Sequence, residues 1–523
     1  MKKRMMAFTS LLLCTALVSA CTKSEPPMSK QGEAAPAPTS GSQASTSPVT
    51  LKIFYFDASG NFKADLPIFK KAAEKTNVSL SNVAPTGGDE KQAYNLMLAS
   101  GDIPDLISYK LGDLNAIAAQ GALQPLNELI DKHAPNLKKF LEQRSDVRQA
   151  ITSPDGKIYT VPFVADGKAT TGWFIRKDWL DKLGLQAPKT VDEYYQVLKA
   201  FKEKDPNGNG KPDEVPYFNR YTDTGAYQLL PLWDAYHTLY IKDNKIVFGP
   251  YEEQYKTGIA NIAKWYKEGL IDQEIYTRGG KTRDILLANN IGGSTHDWFA
   301  STSNYNTSLK KDVPDLNFIP VAPPASTSGK VVEPGLRAAL SGNGWAISAK
   351  TKDPVMAIKY FDYWFTEEGR RLWNFGVEGQ SYTMVNGKPT FTEQVLSQPN
   401  VLGHLQQVYG AQSSSMGVWQ DFSYEEQWTN KIALAGIKEY QDNNYISSNY
   451  TLPTLTFTES EQKRINELKP SIDTYVTEVS QKWVMGGEGV DANFASYIDQ
   501  LKKKNVDELL KTYQAAYDRY KSK

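Results

Sequence analysis

The residues of this chain with the most explicit chemistry are consecutive: Asp205-Pro206-Asn207-Gly208-Asn209-Gly210-Lys211-Pro212-Asp213-Glu214. Oxygen-bearing side chains fall at positions 1, 3, 5 and 9 of this loop, with glycine at position 6, as in the first nine positions of an EF-hand-like loop. A hard cation such as Ca2+ needs about six to eight oxygens, and alternate positions of a tight glycine loop aim them at one centre. Lys211, at position 7, would contribute its carbonyl oxygen and not its ammonium. Position 12 is Pro216, where an EF-hand has glutamate, so Glu214 is the replacement bidentate ligand. The carboxylates of Asp205, Asp213 and Glu214 repel one another unless a dication neutralises them, which makes the expected role of the ion structural. The competing reading is a polar Asn-Gly turn.

Other reactive groups are sparse. Cys14 and Cys21 are the only cysteines, so the body of the chain has no disulfide, thiolate metal site or cysteine nucleophile. His133, His237, His296 and His404 share no metal-ligand spacing and read as solvated or packed residues. No Ser-His-Asp order, GxSxG or HExxH motif occurs. The 59 acidic residues do leave open a pair of facing carboxylates of the kind that cleaves glycosides. Aromatic residues are plentiful, with 29 Tyr and 11 Trp, many in polar stretches such as SNYNTS, MGVWQDFSYEEQW and QDNNYISSNY. Most must pack in cores; a minority lining a cleft is enough to bind a ligand.

The elements that position these groups come from a chain of 523 residues, too long for one ordinary core and suited to two or three domains. Its 59 basic and 59 acidic residues balance, and no basic stripe argues for nucleic acid. Lys2 to Arg4 form a basic start, followed by an apolar run from Met5 to Ala20 that is short for a membrane span. It ends in Leu17-Val18-Ser19-Ala20-Cys21, which resembles a bacterial lipobox. Residues 1–20 are thus an expected signal peptide and Cys21 the lipid-bearing residue, anchored without a transmembrane helix. From Thr22 to Pro48 the sequence is Ser, Pro, Ala, Gly, Gln and Thr with almost nothing apolar, a tether spanning on the order of 30 Å as a coil.

After the tether, VTLKIFYFD is a strand with Leu51, Ile53 and Tyr55 on one face, followed by a helix from Ala64 to Lys75, a strand in VSLSNVAP and a helix from Glu90 to Ser100. A βαβα start argues for a parallel sheet flanked by helices. Asp155-Gly156 predicts a hairpin turn before GKIYTVPF. The stretch ADGKATTG is then a polar crossing to a strand around Trp173 to Arg176 and a short helix capped by Asp178 and stopped at Gly184. Thr190–Glu193 and Thr458–Glu461 read as capping boxes. Ile358, Phe361 and Trp364 read as core on a helix started by Asp353 and Pro354.

The crossing followed by an aromatic strand and R-K-D-W-L-D-K-L-G-L, the G-D-x-P-D at Gly101 to Asp105 and the segment Leu286 to Trp298 together resemble the extracellular solute-binding lipoproteins of ABC importers. The likeness is to the large oligosaccharide-binding type, and its alginate-binding members carry the same D-x-N-x-N-x-K-x-D-E arrangement as a calcium site. It implies an α/β, two-lobed periplasmic-binding-protein-like fold of type II with several crossings and a helical C-terminal part. The expected division is 49–165 plus 335–377 for one lobe and 166–334 plus 378–523 for the other, with a later crossing near GVEGQSYTMVNGKPTF. The implied partners are an oligosaccharide and the membrane subunits of the importer, and the implied state is a lipid-anchored monomer on the outer face of the cell membrane.

A pyranose offers an apolar C–H face to a Trp or Tyr ring and a rim of hydroxyls to Asp, Asn, Arg and Gln. The stacking candidates are Trp173, Trp233, Trp298 and Trp345, with Tyr55, Tyr109, Tyr217, Tyr382 and Trp419 behind them. Asp57, Arg176, Arg337 and Glu378 are the polar candidates. Tyr55, Asp57 and Tyr109 follow from the rule that open α/β sheets bind ligands beyond the carboxyl ends of their strands. Each tryptophan also suits a core, and Arg176 has Asp178 as an alternative partner. The rival functions are an anchored polysaccharide-cleaving enzyme and a peptide-binding receptor.

Overall fold

Alternation in the first strand predicts one buried face, and β1 (Val49–Phe54) buries Leu51 and Ile53 on it while Thr50 and Lys52 stay exposed opposite; the other face is covered only at Phe54. Leu51 and Ile53 enter one core and Phe54 another, as expected of a strand inside a sheet flanked by helices on both sides. The protein is described by a computed structural model over residues 48–522, apart from 58, 59, 61, 86, 168, 336, 339, 414–418 and the side chain of 341. The signal peptide, Cys21 and nearly all of the tether lie outside the described residues. Among the described residues no helix is long and apolar enough to cross a membrane.

In chain order the strands that build the two main sheets and one hairpin are β1, β2 (Val78–Asn82), β3 (Leu106–Lys110), β4 (Thr160–Val164), β5 (Thr171–Arg176), β6 (Val215–Tyr217), β7 (Leu239–Lys242), β8 (Lys245–Phe248), β9 (Gly292–Trp298), β10 (Phe318–Val321) and β11 (Leu340–Ile347). The first sheet runs β2-β1-β3-β11-β4. Its first three strands are parallel, as the βαβα start requires, while β11 lies antiparallel between β3 and β4. Trp345 stands opposite Ser108 on one side and Val161 on the other. The second sheet runs β10-β5-β9-β6, with Trp173 opposite His296 and Thr171 opposite Trp298. The fold is α/β, built on two sheets with separate cores.

The chain passes from the first sheet to the second through 165–170 and returns through 322–339. GVEGQSYTMVNGKPTF makes no such passage: Tyr382–Val385 and Lys388–Phe391 pair as a hairpin whose Tyr382 and Phe391 join the core of the first sheet. Leu405, Tyr409 and Tyr424 join that core too, whereas the helix Lys431–Asp442 puts Ala433 and Ile437 with the second sheet. The next passage therefore falls between Trp428, which packs on the first core, and Ala433, which packs with the second sheet. The long helix Glu459–Val484 starts with a complete capping box at Thr458 and Glu461 and buries Ile465, Leu468, Ile472 and Val476 against the second sheet's helices. At Thr190 only half a box forms, since the Glu193 carboxylate accepts from the Lys189 N–H instead. Gly184 does stop the helix Lys177–Leu183, at φ 68°, but Asp178 is no cap: its carboxylate holds the Arg176 guanidinium.

Candidate functional site

β9 opens with two glycines because its neighbours leave no room for a side chain: a Cβ at Gly292 would lie 2.7 Å from the Phe218 ring, and one at Gly293 2.8 Å from Phe201. Close packing buries the strand as far as Asp297, and the next residue, Trp298, emerges with 43% of its surface exposed. The segment after β6, which runs parallel to β9, brings Asn219, Arg220 and Tyr221 to the same end of the sheet. Asn219 donates to the His296 carbonyl at 2.8 Å and ties the two strand ends together.

The Trp298 ring is held by a polar frame. Its indole N–H donates to Tyr221 Oη at 2.9 Å and its backbone N–H to Asp297 Oδ1 at 2.7 Å. Asp297, fully buried, accepts from Arg220 through Nε at 2.8 Å and Nη2 at 2.9 Å, with Arg283 Nη1 3.4 Å away. The Arg220 guanidinium also lies 4.7 Å from the Tyr221 ring centre. A buried carboxylate shared by two guanidiniums is costly to disturb, so the frame fixes the exposed indole in one orientation.

A second polar group lies at the passages between the sheets. Arg337 forms a two-point bridge to Glu425, at 2.9 and 3.1 Å, and donates to the Asp166 carbonyl at 2.9 Å. Gly167, at φ 82°, lets the Phe422 ring lie against the backbone, where a Cβ would meet it at 3.0 Å. Glu333 is fully buried and accepts from Gly335 N at 2.7 Å and Thr171 Oγ1 at 3.2 Å, while His296 Nε2 lies 2.8 Å from its other oxygen. Burial alone would lower the His296 pKa, but the charge and hydrogen bond of Glu333 outweigh it and hold the imidazole above its ordinary value. Trp419, next to the β4 end through a bridge to Val164, is covered by Arg370 at 3.7 Å from the ring.

Most of the expected stacking residues are core. Trp345 has no exposed surface and stacks on Tyr55 at 5.9 Å inside the first sheet's core. Tyr109 lies flat on Tyr94 at 3.7 Å. Trp173 packs edge-on to Tyr194 and His296, Trp233 edge-on to Trp265, and Tyr217 is buried with its hydroxyl on the Gly225 carbonyl. Tyr382 sits against Phe375. Arg176 is taken up by Asp178, Asn290 and the face of Trp179. Asp57 stands at the carboxyl end of β1 and accepts from the Phe62 N–H; Glu378 is exposed beside the 382–391 hairpin. Trp298, Arg337 and Trp419 remain at the strand ends and passages. Arg220, Tyr221 and Asp297 join them; the alternation in YFNRY was the signal for the first two.

The loop from Asp205 to Glu214 folds around its own carboxylates. Asp205 accepts from the N–H groups of Asn209 and Gly210 at 3.1 and 3.0 Å, and the Asn207 and Asn209 amides converge on Asp213 at 3.1 to 3.2 Å. Gly208 and Gly210 adopt φ 73° and 74°. Among the described residues no three His, Cys, Asp or Glu side chains form a metal cage; the oxygens of this loop come from amides and carbonyls as well. Glu214 is 1% exposed, and neither of its carboxylate oxygens has a hydrogen-bond partner. Burial, then the charges of Asp213 and Asp205, push its pKa up. A buried, unpartnered carboxylate beside two others is the deficit that a hard dication fills, so these residues fit one.

Residues 58–371 match the family described as bacterial extracellular solute-binding protein. The chain is 27% identical over 475 residues to the fructooligosaccharide ABC transporter substrate-binding protein FusA of Streptococcus pneumoniae, covering 83% of each chain. It is also 27% identical over 419 residues to the lipoprotein LipO of Bacillus subtilis, covering 75% of this chain and 76% of the relative. Among solved structures it resembles the alginate-binding protein AlgQ2 crystallised without calcium ion, with a TM-score of 0.78 and 39% identity over 91% of this chain and 99% of that one.

Proposed function

Because the chain belongs to the family of bacterial extracellular solute-binding proteins, we propose that it captures an oligosaccharide between its two lobes and delivers it to the membrane subunits of an ABC importer. The observation that carries the ligand is Trp298, an exposed ring at the end of a buried strand, braced by Tyr221 and the Arg220–Asp297 pair. The ring stacks on a sugar face while the surrounding polar groups meet its hydroxyls. AlgQ2 is alginate-binding and FusA binds fructooligosaccharides, so alginate oligomers and kestose are the first ligands to try. The lobes follow the two cores, 49–165 with 335–428 and 166–334 with 429–523, and a ligand favours the closed form by touching both. The reading has the protein bind and not cleave: incubation leaves the oligosaccharide intact.

Titration calorimetry against both sugars tests the reading. Binding in the micromolar range, about −8 kcal/mol, that weakens roughly thirtyfold in Trp298→Ala supports it; undiminished affinity in that variant overturns the placement of the site. Calcium belongs to the same proposal: Asp205, Asn207, Asn209, Asp213, Glu214 and the Lys211 carbonyl would hold it, supplying charge neutralisation to the loop and no chemistry to the ligand. Cys21 carries the lipid; in membrane fractionation Cys21→Ala moves the protein to the soluble fraction.

A further inference from the structure

Away from the passages, the two cores meet again through a strap of chain without regular structure. Residues 452–458 form neither helix nor strand, and both ends of this strap belong with the second sheet. Before it, the Ser447 N–H donates to the Glu333 carbonyl at 3.1 Å and Tyr450 stacks on Tyr236 at 4.5 Å. After it, the helix Glu459–Val484 enters the second core. Successive side chains of the strap point to opposite sides, as in any extended segment. Phe457 packs on Tyr513 at 5.2 Å, beside the second core, while Thr456, 7% exposed, turns to the first and its hydroxyl donates to the Thr152 carbonyl at 3.0 Å.

The C-terminal helix Val506–Ser522 repeats the pattern. Val506 and Leu509 lie in the second core, whereas Tyr520 packs against the first. Arg519 beside it holds the strap, donating to Glu461 at 2.8 Å and to the Thr456 carbonyl at 3.4 Å.

Position makes this contact conditional. Thr152 faces Ile158 at the amino end of β4, whereas the passages gather at its carboxyl end, where Leu340 pairs with Val164. From Ile158 to Val164 is about 20 Å of extended chain. A rotation of about 15° about the passages moves a point that far away by about 5 Å, beyond the reach of a hydrogen bond. The contact therefore exists in one arrangement of the lobes and is lost in another. It is also lightly packed, since a cavity of about 450 Å3 adjoins it, with Gly112, Ala116 and Ser153 on one side and Leu455 and Phe457 on the other. The described arrangement leaves Trp298 43% exposed, hydrogen-bonded only to Tyr221 and Asp297 at the end of its own sheet, and is the form that admits a ligand.

We propose that the strap is a latch holding the lobes in this ligand-admitting form, so that Thr456, Arg519 and Tyr520 set sugar affinity without touching the sugar. A ligand that favours closure must release the latch, and the apparent dissociation constant is the intrinsic one divided by the closed fraction. The effect on affinity rests on the two-lobed receptor reading; the effect on lobe arrangement does not.

The test uses the full chain with Cys14→Ala and Cys21→Ala, which leaves no native thiol. Thr456→Val with Tyr520→Ala loosens the latch and is expected to tighten the binding of kestose or alginate oligomers by about threefold or more in calorimetry. Thr152→Cys with Thr456→Cys fastens it: the oxidised protein is expected to bind about tenfold more weakly than the same protein after dithiothreitol, a reversible change that misfolding does not produce. Spin labels on Leu96→Cys and Met485→Cys, two exposed positions on different lobes, read the distance between the lobes without sugar, and loosening is expected to shift it. Failure of the cysteine pair to cross-link overturns the latch, as does equal affinity before and after reduction, or an unshifted distance in the loosened protein. Failure of the receptor reading looks different: neither sugar binds even the parent chain, and the label distance alone decides the latch.

Discussion

The cation-type loop and the Trp298 frame are both clusters of polar groups around acidic side chains, but they are assembled in opposite ways. The carboxylates of Asp205 and Asp213 draw their donors from within ten consecutive residues, and the loop's geometry follows from glycines at positive φ and side chains folding onto nearby N–H groups. The frame joins Arg220 to Asp297 across 77 residues and exists only because β6 and β9 end side by side. The loop would stabilise the lobe that carries it, whereas the frame presents a ring outward. Loss of the loop should thus appear in stability and loss of the frame in affinity.

The largest expected effect tests the buried side of that contrast. Trp345→Ala removes a ring with no exposed surface and should lower the unfolding free energy by about 3–5 kcal/mol in urea titrations, with sugar affinity unchanged below the transition. Weaker sugar binding at full stability would instead place Trp345 in the cleft. Calcium at about a hundred times its dissociation constant should add roughly 2.7 kcal/mol, read as a rise in melting temperature of the EDTA-treated protein. Glu214→Gln should remove that rise without altering sugar affinity. Trp298→Ala should cost about 2 kcal/mol of binding, roughly thirtyfold in Kd, and leave the melting temperature where it was.

The smallest effect concerns pH. Protonated His296 is stabilised by Glu333 beneath the second passage, and its folded pKa lies above the ordinary 6.5. That contribution is complete below about pH 6.5 and is lost as pH rises through the folded value, with a slope bounded by one proton, ~1.4 kcal/mol per pH unit. His296→Gln should flatten this part of the stability profile; an unchanged slope would assign it to another group.

Much of the architecture is legible in the sequence. The parallel start, the capping box at Thr458 and the left-handed stop at Gly184 each depend on residues a few positions apart, where local sterics and hydrogen bonds decide. From sequence the hairpin at 382–391 reads as a passage, because a polar, glycine-rich stretch looks alike in both settings; only the burial of Tyr382 and Phe391 separates them. Trp173, Trp233, Trp345 and Trp298 were likewise indistinguishable as letters.

By itself, then, the sequence determined the groups whose partners are neighbours: the oxygen-rich loop, the helix ends and the faces of the strands. Tertiary structure decided which ring meets solvent, since burial depends on what arrives from elsewhere in the chain. Trp345 is enclosed because β11 is inserted between β3 and β4, and Trp298 is open because it stands at the last position of its strand, beyond the packing that covers Asp297.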